Sequence, residues 1–109
     1  MGKGFDLGGL FRQAQQLQEK LAGVQQELAA RTAEASAGGG MVTAVVNGKF
    51  ELVRVRIEPS LLQNNPDVEM VQDLVVAAVN EAVRAARRMI EEEMGKLTGG
   101  LGIKLPGMG

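Results

Sequence analysis

From Pro66 to Gly95 the chain reads PDVEMVQDLVVAAVNEAVRAARRMIEEEMG, with no proline or glycine between those two residues. As one helix this stretch is roughly 40 Å long at 1.5 Å per residue. A compact chain of 109 residues has a radius of gyration of only about 13 Å. A single small domain therefore cannot enclose it, and any fold must let it overhang or find it further cover. Its apolar residues form two stripes at helical spacing. One is Val71, Val75, Ala78, Ala82, Ala85 and Met89; the other is Val76, Val79, Val83, Ala86, Ile90 and Met94. Two stripes predict two contacts, one with the chain's own sheet and one with another helix or subunit. The competing reading is a helix buried once, with alanines at its boundary.

A second helix is predicted at the other end of the chain. Leu10, Ala14, Leu17, Leu21, Val24 and Leu28 recur at alternating spacings of four and three, flanked by Gln, Glu, Lys and Arg. That is a heptad-like seam over about residues 6–30, with Asp6 expected as its cap and Gly23 weakening its middle. Two readings stay open for this seam: a partner helix, including one across a dimer, or the chain's own sheet.

Between the helices lies strand-like sequence, residues 31–58. RTAEASA alternates weakly, Gly38-Gly39-Gly40 ends it, and MVTAVV is rich in β-branched residues. Asn47-Gly48 then separates this run from KFELVRVRIE, whose Val53, Val55 and Ile57 alternate with Arg54, Arg56 and Glu58. Asn-Gly between two strand patterns predicts a hairpin through a type I′ turn. Phe50 and Leu52 fall on the face opposite Val53, which calls for a bulge or a second buried face near the turn. Pro59 ends the sheet, residues 60–65 connect with a turn near Leu61-Leu62, and the long helix occupies 66–95 with Asp67 and Glu69 at its positive pole. Residues 96–109, KLTGGLGIKLPGMG, carry too many glycines for regular structure. They are read either as a mobile tail or as an extended segment that lays Leu101, Ile103 and Leu105 on an apolar surface. The whole is one α+β domain over 1–109, ordered α-β-β-β-α around a small antiparallel sheet. A three-stranded sheet is too small to cover such helices, so a homodimer is expected.

Chemistry is scarce. The chain has no Cys and no His, which removes thiolate chemistry, the commonest general base and the commonest transition-metal ligand. No phosphate-binding glycine loop precedes a helix, and Glu91-Glu92-Glu93 are about 100° apart around a helix and cannot converge on one metal. No enzyme, cofactor or metal is expected. The longest apolar run, Leu74–Val79, is far below the ~20 residues that span a bilayer, so a cytosolic protein is the default. With 12 basic and 13 acidic residues the net charge is −1. Binding to nucleic acid must therefore rest on local clusters rather than on bulk charge. The candidates are Arg84, Arg87 and Arg88 on the long helix, Arg12 and Lys20 on the first, and Arg54 and Arg56 on the hairpin. The competing reading pairs Arg87 with Glu91 and Arg88 with Glu92 as ordinary i, i+4 partners. Only three Phe, and no Trp or Tyr, leave little capacity for stacking on single-stranded bases.

The leading Gln/Leu helix, GGGMVTAVVNGKFELVRVRIEPSLL, DLVVAAVNEAVRAARRMIEEEMGKLTGG and the GLGIKLPGM segment together resemble the YbaB/EbfC nucleoid-associated proteins over nearly the whole chain. The resemblance implies a small bacterial cytosolic protein forming a homodimer whose sheets join and whose helices project like tweezers. It implies binding of double-stranded DNA with little sequence preference, association with the nucleoid and, in some members, gene regulation. It points to charged residues on the two helices, here Arg12, Lys20, Arg84, Arg87 and Arg88, as the DNA contacts. The alternative is a dimeric protein-interaction module or scaffold whose apolar helix arms hold a protein partner.

Overall fold

The computed structural model describes residues 6–100. Helix α1 (Leu7–Ala30) leads into strands β1 (Thr32–Ala37), β2 (Val42–Asn47) and β3 (Leu52–Ile57), then a short 3-10 turn (Pro59–Leu62) and helix α2 (Val68–Gly100). The strands form one antiparallel sheet in the order β1-β2-β3. The radius of gyration is 21.5 Å and the extents are 83 × 26 × 15 Å, so the molecule is a thin rod, as the length of its helices requires.

α2 covers one face of the sheet. Val42, Ala44 and Val46 of β2 meet Val71, Ala78, Ala82 and Ala86 of α2 in the buried core. Ala33, Ala35 and Ala37 of β1 and Val55 and Ile57 of β3 pack around them. The three α2 alanines and the three β1 alanines let the helix axis come close to the strands, because there is little side-chain volume between them. The two expected apolar stripes of α2 resolve into one buried strip that draws on both: Val71, Ala78 and Ala82 come from one and Ala86 from the other. Val76 and Met94, at the outer ends of the second stripe, are left 59% and 41% exposed.

The turns account for the strand order. Gly38, Gly39 and Gly40 have φ of 65°, 69° and 95°, a run of left-handed residues that only glycine accepts without strain. The β2–β3 hairpin forms at Asn47-Gly48 as expected, but not through a type I′ turn. The Phe50 amide donates to the Asn47 carbonyl at 2.9 Å and the Asn47 amide to the Glu51 carbonyl at 3.0 Å. These bonds enclose a three-residue loop, Gly48-Lys49-Phe50, and its left-handed residue is Phe50 (φ 63°). Asn47 serves as an anchor: its Oδ1 accepts from the Lys49 and Glu51 amides at 2.9 and 3.0 Å. Gly48 is needed for proximity rather than for φ. Its amide donates to the Ala29 carbonyl at 3.2 Å, and a Cβ on it would run into the Leu28 carbonyl.

A bulge follows. Val45 pairs with Arg54, but Val46 pairs with Leu52, leaving Val53 as the extra residue. Val53 is therefore turned out of the core, 53% exposed, instead of facing inward with Val55 and Ile57.

α2 differs from its expected span at both ends. It starts at Val68, not at Pro66, because Asp67 caps it: its Oδ1 accepts from the Met70 amide at 3.0 Å. It continues through Gly95 and residues 96–100 to Gly100, so the first part of the expected glycine-rich tail is helical. The remainder, 101–109 with Leu101, Ile103 and Leu105, lies outside the described residues. Asp6 stands at the cap position of α1 but makes no side-chain cap bond; only its carbonyl is used, accepting from Leu10 at 3.0 Å.

Candidate nucleic-acid interface

Counting 100° per residue from the buried Ala82, Arg84, Arg87 and Arg88 all lie more than ~90° away from the core, on the outward side of α2. All three are exposed. Two of them share a carboxylate. Arg84 donates through Nε and Nη2 to Glu81 Oε2 at 3.0 and 2.9 Å, and Arg88 Nη2 reaches Glu81 Oε1 at 3.4 Å. These bonds, Arg84 first, hold the Glu81 carboxyl below the ordinary glutamate range. The pairing is not the expected one, since Glu91 and Glu92 take no ion pair with Arg87 or Arg88 among the described residues. The sequence did carry the signal: an acid preceding its base, as in Glu81–Arg84, is the favoured order on a helix. Arg87 has no carboxylate partner among the described residues. The outward face of α2 thus carries three guanidinium groups against one engaged carboxylate within two helical turns.

Arg12 and Lys20 are exposed on α1 and likewise have no ion pair among the described residues. They do not join the α2 arginines. α1 meets the body near its last two turns, where Leu28 is buried and Arg31 Nη1 lies 2.6 Å from Glu93 Oε1, with Lys96 Nζ 3.4 Å from the same oxygen. Arg31 is the first cause that lowers the Glu93 carboxyl. This tertiary pair, between residues distant in sequence, left no local pattern to read. From that junction Arg12 lies about 24 Å out along α1 and Arg84 about 13 Å back along α2. The two basic sets are thus spread along the rod, about one turn of a duplex apart (~34 Å). Arg54 and Arg56 sit on the sheet face that α2 leaves uncovered, opposite Val45 and Thr43 in register. No described helix is long and apolar enough to cross a membrane.

A family model for the YbaB/EbfC DNA-binding family matches residues 1–101. The chain belongs to that family. It is 51% identical over 105 residues, 96% of this chain and 92% of the relative, to a nucleoid-associated protein of Thermoanaerobacter pseudethanolicus. It is 47% identical over 111 residues, 99% of this chain and 97% of the relative, to a nucleoid-associated protein of Syntrophobacter fumaroxidans. Among solved structures, an uncharacterized protein from Helicobacter pylori shares the fold with a TM-score of 0.65 at 24% identity, over 85% of this chain and 97% of that one. The α-β-β-β-α order expected of a YbaB/EbfC protein is thus present in this member, with its helices extended as a rod.

Proposed function

We propose that this protein binds double-stranded DNA with little sequence preference as a non-enzymatic component of the nucleoid in the cytoplasm, and that it takes part in gene regulation. The observation that carries this reading is the outward face of α2. Arg84, Arg87 and Arg88 stand there together, exposed, and Glu81 engages only Arg84 and Arg88. Such a face suits phosphates, which offer no sequence information and impose a steep dependence on salt. Arg12 and Lys20 on α1 supply a second set of phosphate contacts along the same rod. Membership of the DNA-binding family supports the partner class, and the names of the relatives support the nucleoid.

The working form is a homodimer. Leu52 and Val53 on the outer strand β3, and Leu10, Phe11 and Leu17 on α1, are exposed apolar residues that a second copy can shelter. Two copies also double each basic set. Light scattering is expected to give twice the chain mass, and a monomer throughout the binding range ends this part of the reading.

A salt titration on unrelated duplexes tests the DNA partner. The affinity should fall with a log–log slope near −0.9 per phosphate contact, and Arg84→Ala, Arg87→Ala and Arg88→Ala combined should flatten it while the oligomeric state stays unchanged. Glu81→Gln should tighten binding and steepen the slope, because phosphates no longer compete with Glu81 for two of the arginines. No mobility shift on any duplex at low salt removes the reading in favour of a protein-interaction module.

A further inference from the structure

We propose that the tip of the β2–β3 hairpin is a further contact with bound duplex, in which Phe50 wedges into a base step from the minor groove and Lys49 takes a phosphate beside it. This contact rests on the DNA reading above and adds to it a kink in the duplex. Phe50 breaks the local rule of its loop. A three-residue hairpin loop closes with one left-handed residue, and glycine is the ordinary choice there. The chain places Phe50 in that position, at φ 63°, although a bulky side chain makes a left-handed backbone costly. The other non-glycine residues with positive φ among the described residues are Asn64 and Asn65, a type that accepts it. Core packing does not explain the exception, because Phe50 is 46% exposed and stands outside the buried cluster. Backbone strain spent on an exposed aromatic ring is a sign of a working position.

The loop is also braced. The Asn47 side chain accepts from the Lys49 and Glu51 amides and donates through Nδ2 to Glu51 Oε1 at 3.0 Å. Gly48 is tied to α1 through the Ala29 carbonyl. A tip held in this way loses little freedom when it binds. Glu51 is engaged, whereas Lys49 is exposed and has no ion pair among the described residues. The tip also shares its level along the rod with the arginines of α2. Thr32, opposite Asn47 in register, follows Arg31, the partner of Glu93. Arg88 is about 8 Å back along α2 from Glu93. The rod is 26 × 15 Å across, so a duplex on Arg87 and Arg88 reaches the tip by bending around its edge. Apolar wedges that unstack a base step produce such a bend, of about 20–90°. They read the ease of unstacking, which many sequences offer. A second copy of the chain is the rival cover for Phe50, beside Leu52 and Val53. Lys49 speaks against it, because Lys is depleted in the cores of protein interfaces.

Phe50→Trp tests the wedge. The chain has no Trp or Tyr, so the indole is its one strong emitter. The emission should fall as a duplex is titrated in at low salt, because the ring stacks on bases. Dyes at the two ends of the duplex should report a bend of about 20–90° with the parent protein. Phe50→Gly suits the left-handed backbone, so the fold is kept and only the ring is removed. This variant should lose the bend and weaken binding by the same factor at every salt concentration, because Phe50 neutralises no phosphate. Lys49→Ala should instead flatten the log–log slope by about 0.9. Bound duplex with unchanged indole emission, or an equal bend with Phe50→Gly, overturns the wedge and leaves the DNA reading standing. No binding of any duplex overturns both. Indole emission that shifts on diluting the protein without DNA also overturns the wedge, because the tip is then covered by a second copy.

Discussion

The two helices of this protein start from similar sequence and meet different fates. Both carry apolar residues at helical spacing among Gln, Glu and Arg. α2 lies on a sheet, and Ala78, Ala82 and Ala86 along it are fully buried. α1 buries Leu28 alone, while its larger Leu17 and Phe11 stay 48% and 73% exposed. Side-chain size thus does not decide which helix belongs to the core. What decides is whether a matching surface is within reach. The short link before α2 returns it across β1 and β2, whereas α1 joins β1 end to end at Arg31 and leaves along the rod.

The largest expected contrast between the two is a buried charge. Ala82→Asp places an unpaired carboxylate between α2 and the strands and should cost more than about 3 kcal/mol. Gln16→Ala, on the exposed flank of α1, should stay within about 0.5 kcal/mol. Urea melts read both, and similar losses would mean that α1 is as much core as α2.

Next comes the contact that ties the two regions together. Gly48→Ala sets a methyl group against the Leu28 carbonyl and should cost about 1–3 kcal/mol. Exchange of the last-turn amides of α1 should rise while α2 holds. A neutral Gly48→Ala would mean that the α1 end is free to shift.

A smaller effect is confined to α2. Asp67→Ala removes the cap bond to Met70 and should cost about 1 kcal/mol, whereas Asp6→Ala should cost nothing measurable because its side chain caps nothing.

The smallest effect is acid sensitivity. Glu81 and Glu93 are held below their ordinary value in the folded chain. Their contribution is therefore present above the unfolded glutamate pKa of about 4.3 and is lost as pH falls through the lowered folded value. Both are solvent-screened surface pairs, so the change is slight. The urea midpoint of Glu93→Gln should drop less than that of the parent between about pH 7 and about pH 3. Parallel curves would show that the Arg31 pair adds nothing to the junction.

The order of elements was legible because it rests on local patterns: two helical spacings, three glycines, an Asn-Gly pair and a proline. What the sequence hid was tertiary. Gly48 reads as a turn glycine, but its reason is a carbonyl on another element. Val53 reads as inward-facing, and one extra residue in the ladder reverses it. Gly95 and Gly99 read as helix breakers, yet α2 continues through them, because a weak local propensity of about 1 kcal/mol per glycine does not stop a helix already held on a sheet. At the candidate interface the three arginines were visible from their spacing. Their sharing of Glu81 was visible only in part, and the Arg31–Glu93 pair not at all, since nothing in the sequence brings residues 31 and 93 together.

The alanine-lined contact between α2 and the sheet has a mechanical consequence. A surface of methyl groups has no teeth: moving the helix by one turn would bring one alanine to the place of the next with little steric resistance. The position of α2 along the rod must therefore be held by its bulkier contacts. Val71 in the core and Leu74 against Gly38 hold it near its start, and the Arg31–Glu93 pair near its far end. The alanines supply adhesion, and these contacts supply the register.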